Sequence, residues 1–246
     1  SKKRFLTNLK EIYRKSGKLI VVQQSADRQK INLKNKKNTI TFVGKLNKAK
    51  GYDIFGSAII EILNKHKNWN AVVIGDEERE SHIFKHKNLN LLGFQNHKKV
   101  LNIFKTTSIS VVCSRWEEPF GRTSLESSSC GCAVIITNRG GLPETITNGV
   151  IIEKLNKKNV FNAIDKLIKN KKFRNSLQEL SLKNFNLTNK FSSDLIDKYR
   201  NDILIEKSFI SKRGLKILHV TNFNERHNGR LFYNTGKRIN NGFVRL

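Results

Sequence analysis

Two glutamates pose the first chemical question in this sequence. Glu118 lies in the loop Ser114-Arg115-Trp116-Glu117-Glu118-Pro119-Phe120-Gly121, and Glu126 follows it in a helical pattern. If that helix begins near Gly121, Glu126 sits one to two turns inside it, and its carboxylate can point back toward Glu118. Two carboxylates facing one pocket suit a hydroxyl-rich ligand, because each accepts hydrogen bonds from several hydroxyls. The backbone N–H groups of Phe120, Gly121 and Arg122 stand at the helix start as open donors. A second loop, Gly44-Lys45-Leu46-Asn47-Lys48-Ala49-Lys50-Gly51, combines glycines that admit close backbone approach with ammonium groups that favour a bound phosphate. It lacks the Gly-Lys-Ser/Thr ending of a Walker loop. A third, Asn138-Arg139-Gly140-Gly141-Leu142-Pro143-Glu144, is a tight glycine turn in which Pro143 opens a short helix. Taken singly, each loop also has a plain structural reading as a solvated or tight turn. Their combination is what points to chemistry.

These loops need elements to hold them. Short β-branched runs alternate with longer helical patterns. Strands are predicted over 19–22, 39–43, 71–74, 90–93, 108–113 and 132–137. Helices are predicted over 52–67, 100–104, 123–131, 157–170, 173–182 and 188–205. In the first helix Ile54, Phe55, Ala58, Ile59, Ile62 and Leu63 recur at three- and four-residue steps, the period of one buried helix face. Alternating strands and helices, with continuously apolar strands, imply an α/β Rossmann-like, doubly wound parallel sheet covered on both faces. Ligands of such sheets bind outside the carboxyl ends of the strands. A new pattern starts after about Lys207: a strand over 215–220, a polar loop and helical spacing over 230–243. The expected division is therefore a domain over 1–207, then a linker and the truncated start of a second Rossmann-like unit over 208–246.

Composition narrows the field. Lys and Arg total 47 against 20 Asp and Glu, giving +27, which invites an anionic partner. Yet 33 of the basic residues are Lys, and Asn reaches 29, the bias of an A+T-rich coding sequence. The basic residues are spread along the chain rather than gathered with aromatics, so no nucleic-acid partner is expected. No apolar run reaches the roughly 18–20 residues of a membrane span. Three cysteines without a framework point to free thiols in a reducing compartment, and hence to the cytoplasm. Cys130-Gly131-Cys132 has a single intervening residue and no second pair, so no metal site is expected. The chain contains no Met, which is read as a piece of a longer enzyme.

Taken together, the motifs resemble the nucleotide-sugar-binding half of retaining glycosyltransferases with two Rossmann domains, the GT-B fold of group 1 or family 4. Glu118, seven residues and Glu126 match the E-x7-E motif, within Glu118-Pro119-Phe120-Gly121-Arg122-Thr123-Ser124-Leu125-Glu126. Phe42-Val43-Gly44-Lys45-Leu46, Lys50-Gly51, Val73-Ile74-Gly75-Asp76, Leu91-Leu92-Gly93 and Gly140-Gly141-Leu142-Pro143-Glu144 follow the family's order. The resemblance covers about residues 1–205.

It implies a role for each matched residue. Glu118 binds hydroxyls of the donor sugar, and Glu126 holds the ribose hydroxyls. Lys45 and Lys50, beside Gly44, hold the diphosphate and stabilise its leaving charge. Phe120, Gly121 and Arg122 offer backbone donors. Gly93 and Phe94 border the base. Lys45 stands where the family more often has Arg, which loses the planar fork. The implied reaction is metal-independent transfer of a sugar from a UDP-, GDP- or ADP-sugar to a hydroxyl of a sugar, glycan or lipid-linked acceptor, without a cofactor. The acceptor domain is expected to precede this chain, so the chain alone is expected to bind donor without turnover. Contact with the inner face of a membrane is left open. Two alternatives share the fold: a catalytically silent nucleotide-sugar-binding or interaction domain, and a nucleotide-sugar epimerase.

Overall fold

A computed structural model of the chain describes residues 21–206. Within them the strands are β1 (Lys37–Val43), β2 (Asn70–Ile74), β3 (Leu89–Leu91), β4 (Thr107–Val112), β5 (Ala133–Thr137) and β6 (Val150–Ile152). The helices are α1 (Tyr52–Lys65), α2 (His97–Thr106), α3 (Arg122–Ser129), α4 (Lys157–Lys169), α5 (Lys171–Lys183) and α6 (Asn189–Glu206). The strands form one parallel sheet in the order β3-β2-β1-β4-β5-β6. The chain runs outward from β1 to β3, then returns to lay β4 on the other side of β1. That reversal opens a crevice beyond the carboxyl ends of β1 and β4, where such sheets bind ligands.

The sheet is apolar on both faces, as its sequence requires. Successive strand side chains alternate faces. Ile40 and Phe42 pack with Tyr52, Phe55 and Ile59 of α1 and with Ile164 of α4. Val134 and Ile136 pack in a separate cluster with Val100 and Phe104 of α2 and with Cys130. Phe42 stands 5.0 Å from the Phe55 ring and 5.4 Å from Tyr52. Each such fully buried side chain contributes about 1.5–3 kcal/mol, which anchors β1 and the start of α1 beneath the crevice. The asparagine excess has a structural use. Asn96, Asn156 and Asn170 cap α2, α4 and α5, each accepting a backbone N–H on its side-chain oxygen. Arg174, buried, donates to Leu167 O and Ile168 O at the end of α4, with its guanidinium 5.1 Å from the Trp69 ring.

The described strands and helices follow the predicted ones within a few residues at their ends. One short strand goes unpredicted: β6 has only three residues and exists through its pairing with β5, Ile135 opposite Val150. The predicted strand over 19–22 is not formed in its described part, because Val21 and Val22 have no ladder partner. Its first two residues, and the predicted unit over 208–246, lie outside the described residues.

Two consequences of this packing are measurable. Burial pushes the thiols of Cys113 and Cys130 up to about 12. Burial also raises Cys132, against the opposing effect of the Lys36 ammonium. Iodoacetamide at pH 8 should therefore label the native chain far more slowly than the denatured one; native labelling at the rate of a free thiol would contradict the packing. Asp165 joins α1 to α4 by accepting from His66 Nε2 at 2.7 Å, Lys169 Nζ at 2.8 Å and Lys65 Nζ at 3.1 Å. Desolvation pushes its carboxyl up, but hydrogen bonds from Lys169, His66 and Lys65 outweigh that and hold it below the usual carboxylate range. The stabilisation is therefore complete above the ordinary value of 3.8 and is lost as acid protonates the native group. Asp165→Asn should cost about 1–2 kcal/mol at pH 7 in thermal unfolding. Its deficit against the native chain should shrink below about pH 4.

Candidate functional site

The site is built where the loops after β1, β4 and β5 meet, and backbone contacts hold them together. The Ala49 carbonyl accepts the N–H groups of Arg115 and Trp116 at 2.9 and 3.0 Å and the Ser114 hydroxyl at 3.1 Å. Gly51 makes that approach possible. Its φ is 74°, and a Cβ there would lie 1.9 Å from the Cys113 carbonyl oxygen. Arg115 reinforces the contact by donating to both carboxylate oxygens of Asp53, at 2.6 and 2.7 Å. Desolvation pushes the Asp53 carboxyl up, and Arg115 more than offsets it, holding it below its ordinary value. From the other side Asn47 donates to Glu77 at 2.9 Å, and Glu80 accepts the Lys48 N–H at 2.9 Å. Hydrogen bonds from Arg79 and Asn47 bring the Glu77 carboxyl down to about 2.

The loop after β5 lies directly on the loop after β4. Gly140 N–H donates to Glu117 Oε2 and Gly141 N–H to Glu118 O, both at 2.7 Å. Gly140 has φ 56°, and a Cβ on it would sit 2.2 Å from Glu118 O. Thr137 Oγ1 adds a bond to Ser114 O at 2.7 Å. As predicted, Pro143 sits in a short helix, a 3₁₀ turn over Leu142–Thr145.

This bracing sets Glu118, 8% exposed, against Lys50, whose Nζ lies 2.5 Å from Glu118 Oε1. The pair lines a cavity of about 230 Å³ that also meets Gly44, Ser114, Gly121 and Arg122. The start of α3 faces this space, and no side chain caps it at Gly121. Its first N–H groups therefore add partial positive charge. Glu126, 7% exposed, does not line this cavity. It lines a neighbouring one of about 70 Å³, with Ser25, Asp27, His97, Arg122 and Asn189. The expectation of both carboxylates in one pocket is thus corrected. Glu126 is one turn inside α3, where its carboxylate turns toward the start of α2 and accepts from His97 Nε2 at 3.1 Å and Arg122 Nη2 at 2.9 Å. Arg122 borders both cavities.

The other predicted residues are placed as follows. Lys45 is exposed and stands outside both linings. Gly93 ends the β3 edge, its carbonyl accepting the Gly75 N–H at 2.9 Å. Phe94 beside it is 76% exposed, and neither lines either of these two cavities. Phe120 turns its ring into a small core with Ala26, Leu125 and Phe185. His97 had no role in the sequence pattern, because periodicity alone starts that helix at Val100. The signal for it was Asn96, whose side chain accepts the Lys99 N–H at 2.9 Å and so starts α2 at His97. Among the described residues, no three His, Cys, Asp or Glu side chains gather to hold a metal ion.

The fold and this cleft define a Rossmann-like domain with paired acids and bases at the carboxyl end of its sheet. Residues 23–183 match the model of the glycosyl transferases group 1, and the chain belongs to that family. It is 30% identical over 136 residues to the spore coat protein SA of Bacillus subtilis, covering 50% of this chain and 36% of that protein. The C-terminal domain of a glycosyl transferase group 1 family protein (LpcC) from Francisella tularensis superimposes with a TM-score of 0.55 and 27% identity, over 66% of this chain and 93% of that one. HepE from Anabaena, solved in complex with UDP-glucose, shares the fold with a TM-score of 0.54 and 17% identity, over 67% of this chain and 49% of that one. The chain spans 36% to 46% of the length of three curated relatives it matches. Among the described residues, no helix is long and apolar enough to cross a membrane.

The bracing of the loops is testable at Gly140. Gly140→Ala places a side chain at positive φ and against Glu118 O. Backbone strain alone should cost about 1–3 kcal/mol in chemical unfolding, with the clash adding to it. An unchanged midpoint would show that the third loop does not brace the second.

Proposed function

We propose that this chain is the donor-binding half of a retaining glycosyltransferase, taking a sugar from a UDP-, GDP- or ADP-sugar to a hydroxyl acceptor. The observation that carries this reading is the pair of adjoining cavities, one with Lys50 and Glu118, the other with Glu126, joined by Arg122. A nucleotide sugar has the matching order of parts: ribose hydroxyls, a diphosphate and sugar hydroxyls. We assign the ribose to Glu126, the diphosphate to Lys50, Arg122 and the amides at the start of α3, and the sugar to Glu118. Lys45, exposed nearby, joins when the diphosphate is bound.

The chemistry follows from charge. As the glycosidic bond lengthens, negative charge builds on the leaving diphosphate. In this assignment Lys50 and the helix-start amides stand beside the diphosphate and stabilise that charge once Lys50 has turned from Glu118. Before donor binds, Lys50 is neutralised by Glu118 at 2.5 Å. A diphosphate competes for that ammonium and frees Glu118 to accept hydrogen bonds from sugar hydroxyls. This assignment uses no metal and no cofactor. HepE, a structural neighbour, holds UDP-glucose, which supports a nucleotide-sugar donor. We assign the acceptor, a sugar, glycan or lipid-linked hydroxyl, to the preceding domain of the full-length protein, working in the cytoplasm or at the inner face of its membrane.

Calorimetry of the chain with UDP, GDP and ADP tests the reading. One of them should bind, and Lys50→Ala should weaken it about 10-fold or more through loss of a charge-assisted bond. The chain alone should show no sugar transfer from UDP-, GDP- or ADP-sugars. Binding of none of the three nucleotides would reject the donor assignment, and robust transfer by the chain alone would reject the need for an acceptor domain.

A further inference from the structure

Glu126 is a buried acid held from two separate elements. Arg122, one turn earlier in α3, donates through Nη2 to Oε1 at 2.9 Å. His97, the first residue of α2, places Nε2 at 3.1 Å from the same oxygen. Oε2 takes no hydrogen bond from the described residues. Two donors converging on one oxygen restrict rotation of the carboxylate and leave the other oxygen to accept from a ligand.

The two donors are not equivalent. Arg122 borders the larger cavity as well, so an anion there competes with Glu126 for its guanidinium. His97 borders only the smaller one and has no such second demand. Its place is set by the frame of α2: Asn96 caps the helix, and Val100 and Phe104 are buried beneath it. The imidazole side chain is 61% exposed, so its use to Glu126 is orientation more than charge. For the neutral ring this requires the proton on Nε2.

We propose that His97 is a positioning residue for the donor, holding Glu126 so that Oε2 accepts the ribose hydroxyls while a diphosphate engages Arg122. This rests on the assignment of the ribose to Glu126. Loss of one such orienting bond corresponds to about a 3- to 10-fold loss of affinity.

The experiment uses whichever of UDP, GDP and ADP the native chain binds most tightly, together with its 2′,3′-dideoxy counterpart, in calorimetry of four proteins: native, Glu126→Ala, His97→Ala and His97→Gln. Glu126→Ala should weaken the ribonucleotide and leave the dideoxynucleotide unchanged. His97→Ala should do the same to a smaller degree, with an unchanged thermal midpoint. His97→Gln, whose amide N–H can still donate, should recover most of the affinity. Added to Glu126→Ala, the His97→Ala change should cost nothing further. A weakened Glu126→Ala with an unaffected His97→Ala overturns the role of His97 and spares the ribose assignment. Equal loss of both nucleotides in His97→Ala overturns it too, since the effect would not run through Glu126. An unaffected Glu126→Ala overturns the ribose assignment itself, and this inference with it.

Discussion

The Ala49 carbonyl oxygen is the contact on which the rest of the site depends. It takes two backbone N–H groups and one hydroxyl from the loop after β4. A loop at the end of a parallel sheet is ordinarily free to vary, because only its ends are fixed by strand and helix. Here the loops after β1 and β4 touch backbone to backbone, and a lysine at one end of the contact meets a glutamate at the other. Without that junction Lys50 and Glu118 would be two solvated side chains on separate loops. With it they form a half-buried ion pair whose geometry is set by the scaffold.

Burial gives the two acids their character. A carboxylate removed from water needs compensating partners, and each has found different ones. Glu118 is met by an ammonium from another loop. Glu126 is met by a guanidinium from its own helix and an imidazole from the start of α2. Arg122 stands between them and borders both cavities. On the proposed reading, a ligand with charge in its middle and hydroxyls at both ends would meet complementary groups along this path. The positive charge of the chain is diffuse, but at this sheet end it is concentrated in Lys50, Arg122 and the first turn of α3.

Much of this was legible in the sequence, for reasons that can be named. Continuous apolar runs such as Val134-Ile135-Ile136 bury on both sides, so they read as parallel strands without knowledge of their neighbours. The three loops were legible because each sets glycines beside acids or basic residues at a strand end, an unusual local clustering. The partners across loops were not legible. Asp53 with Arg115, Glu117 with Gly140 and Glu126 with His97 are 23 to 62 residues apart, and no local pattern links them. β6 was hidden for the same reason: three apolar residues become a strand only when β5 offers its edge.

Residue order alone thus determined the α/β alternation, the doubly wound class and the strand-end loops that carry polar chemistry, because hydrophobic period and glycine position are local properties. Tertiary structure decided which charged groups meet. It brought Lys50 rather than Lys45 into the cavity, and it divided Glu118 and Glu126 between two cavities instead of one. The reason is directional. A helix starting at Arg122 turns Glu126 toward α2, and a loop pinned at Ala49 turns Lys50 toward Glu118. Both orientations follow from contacts between segments far apart in the chain.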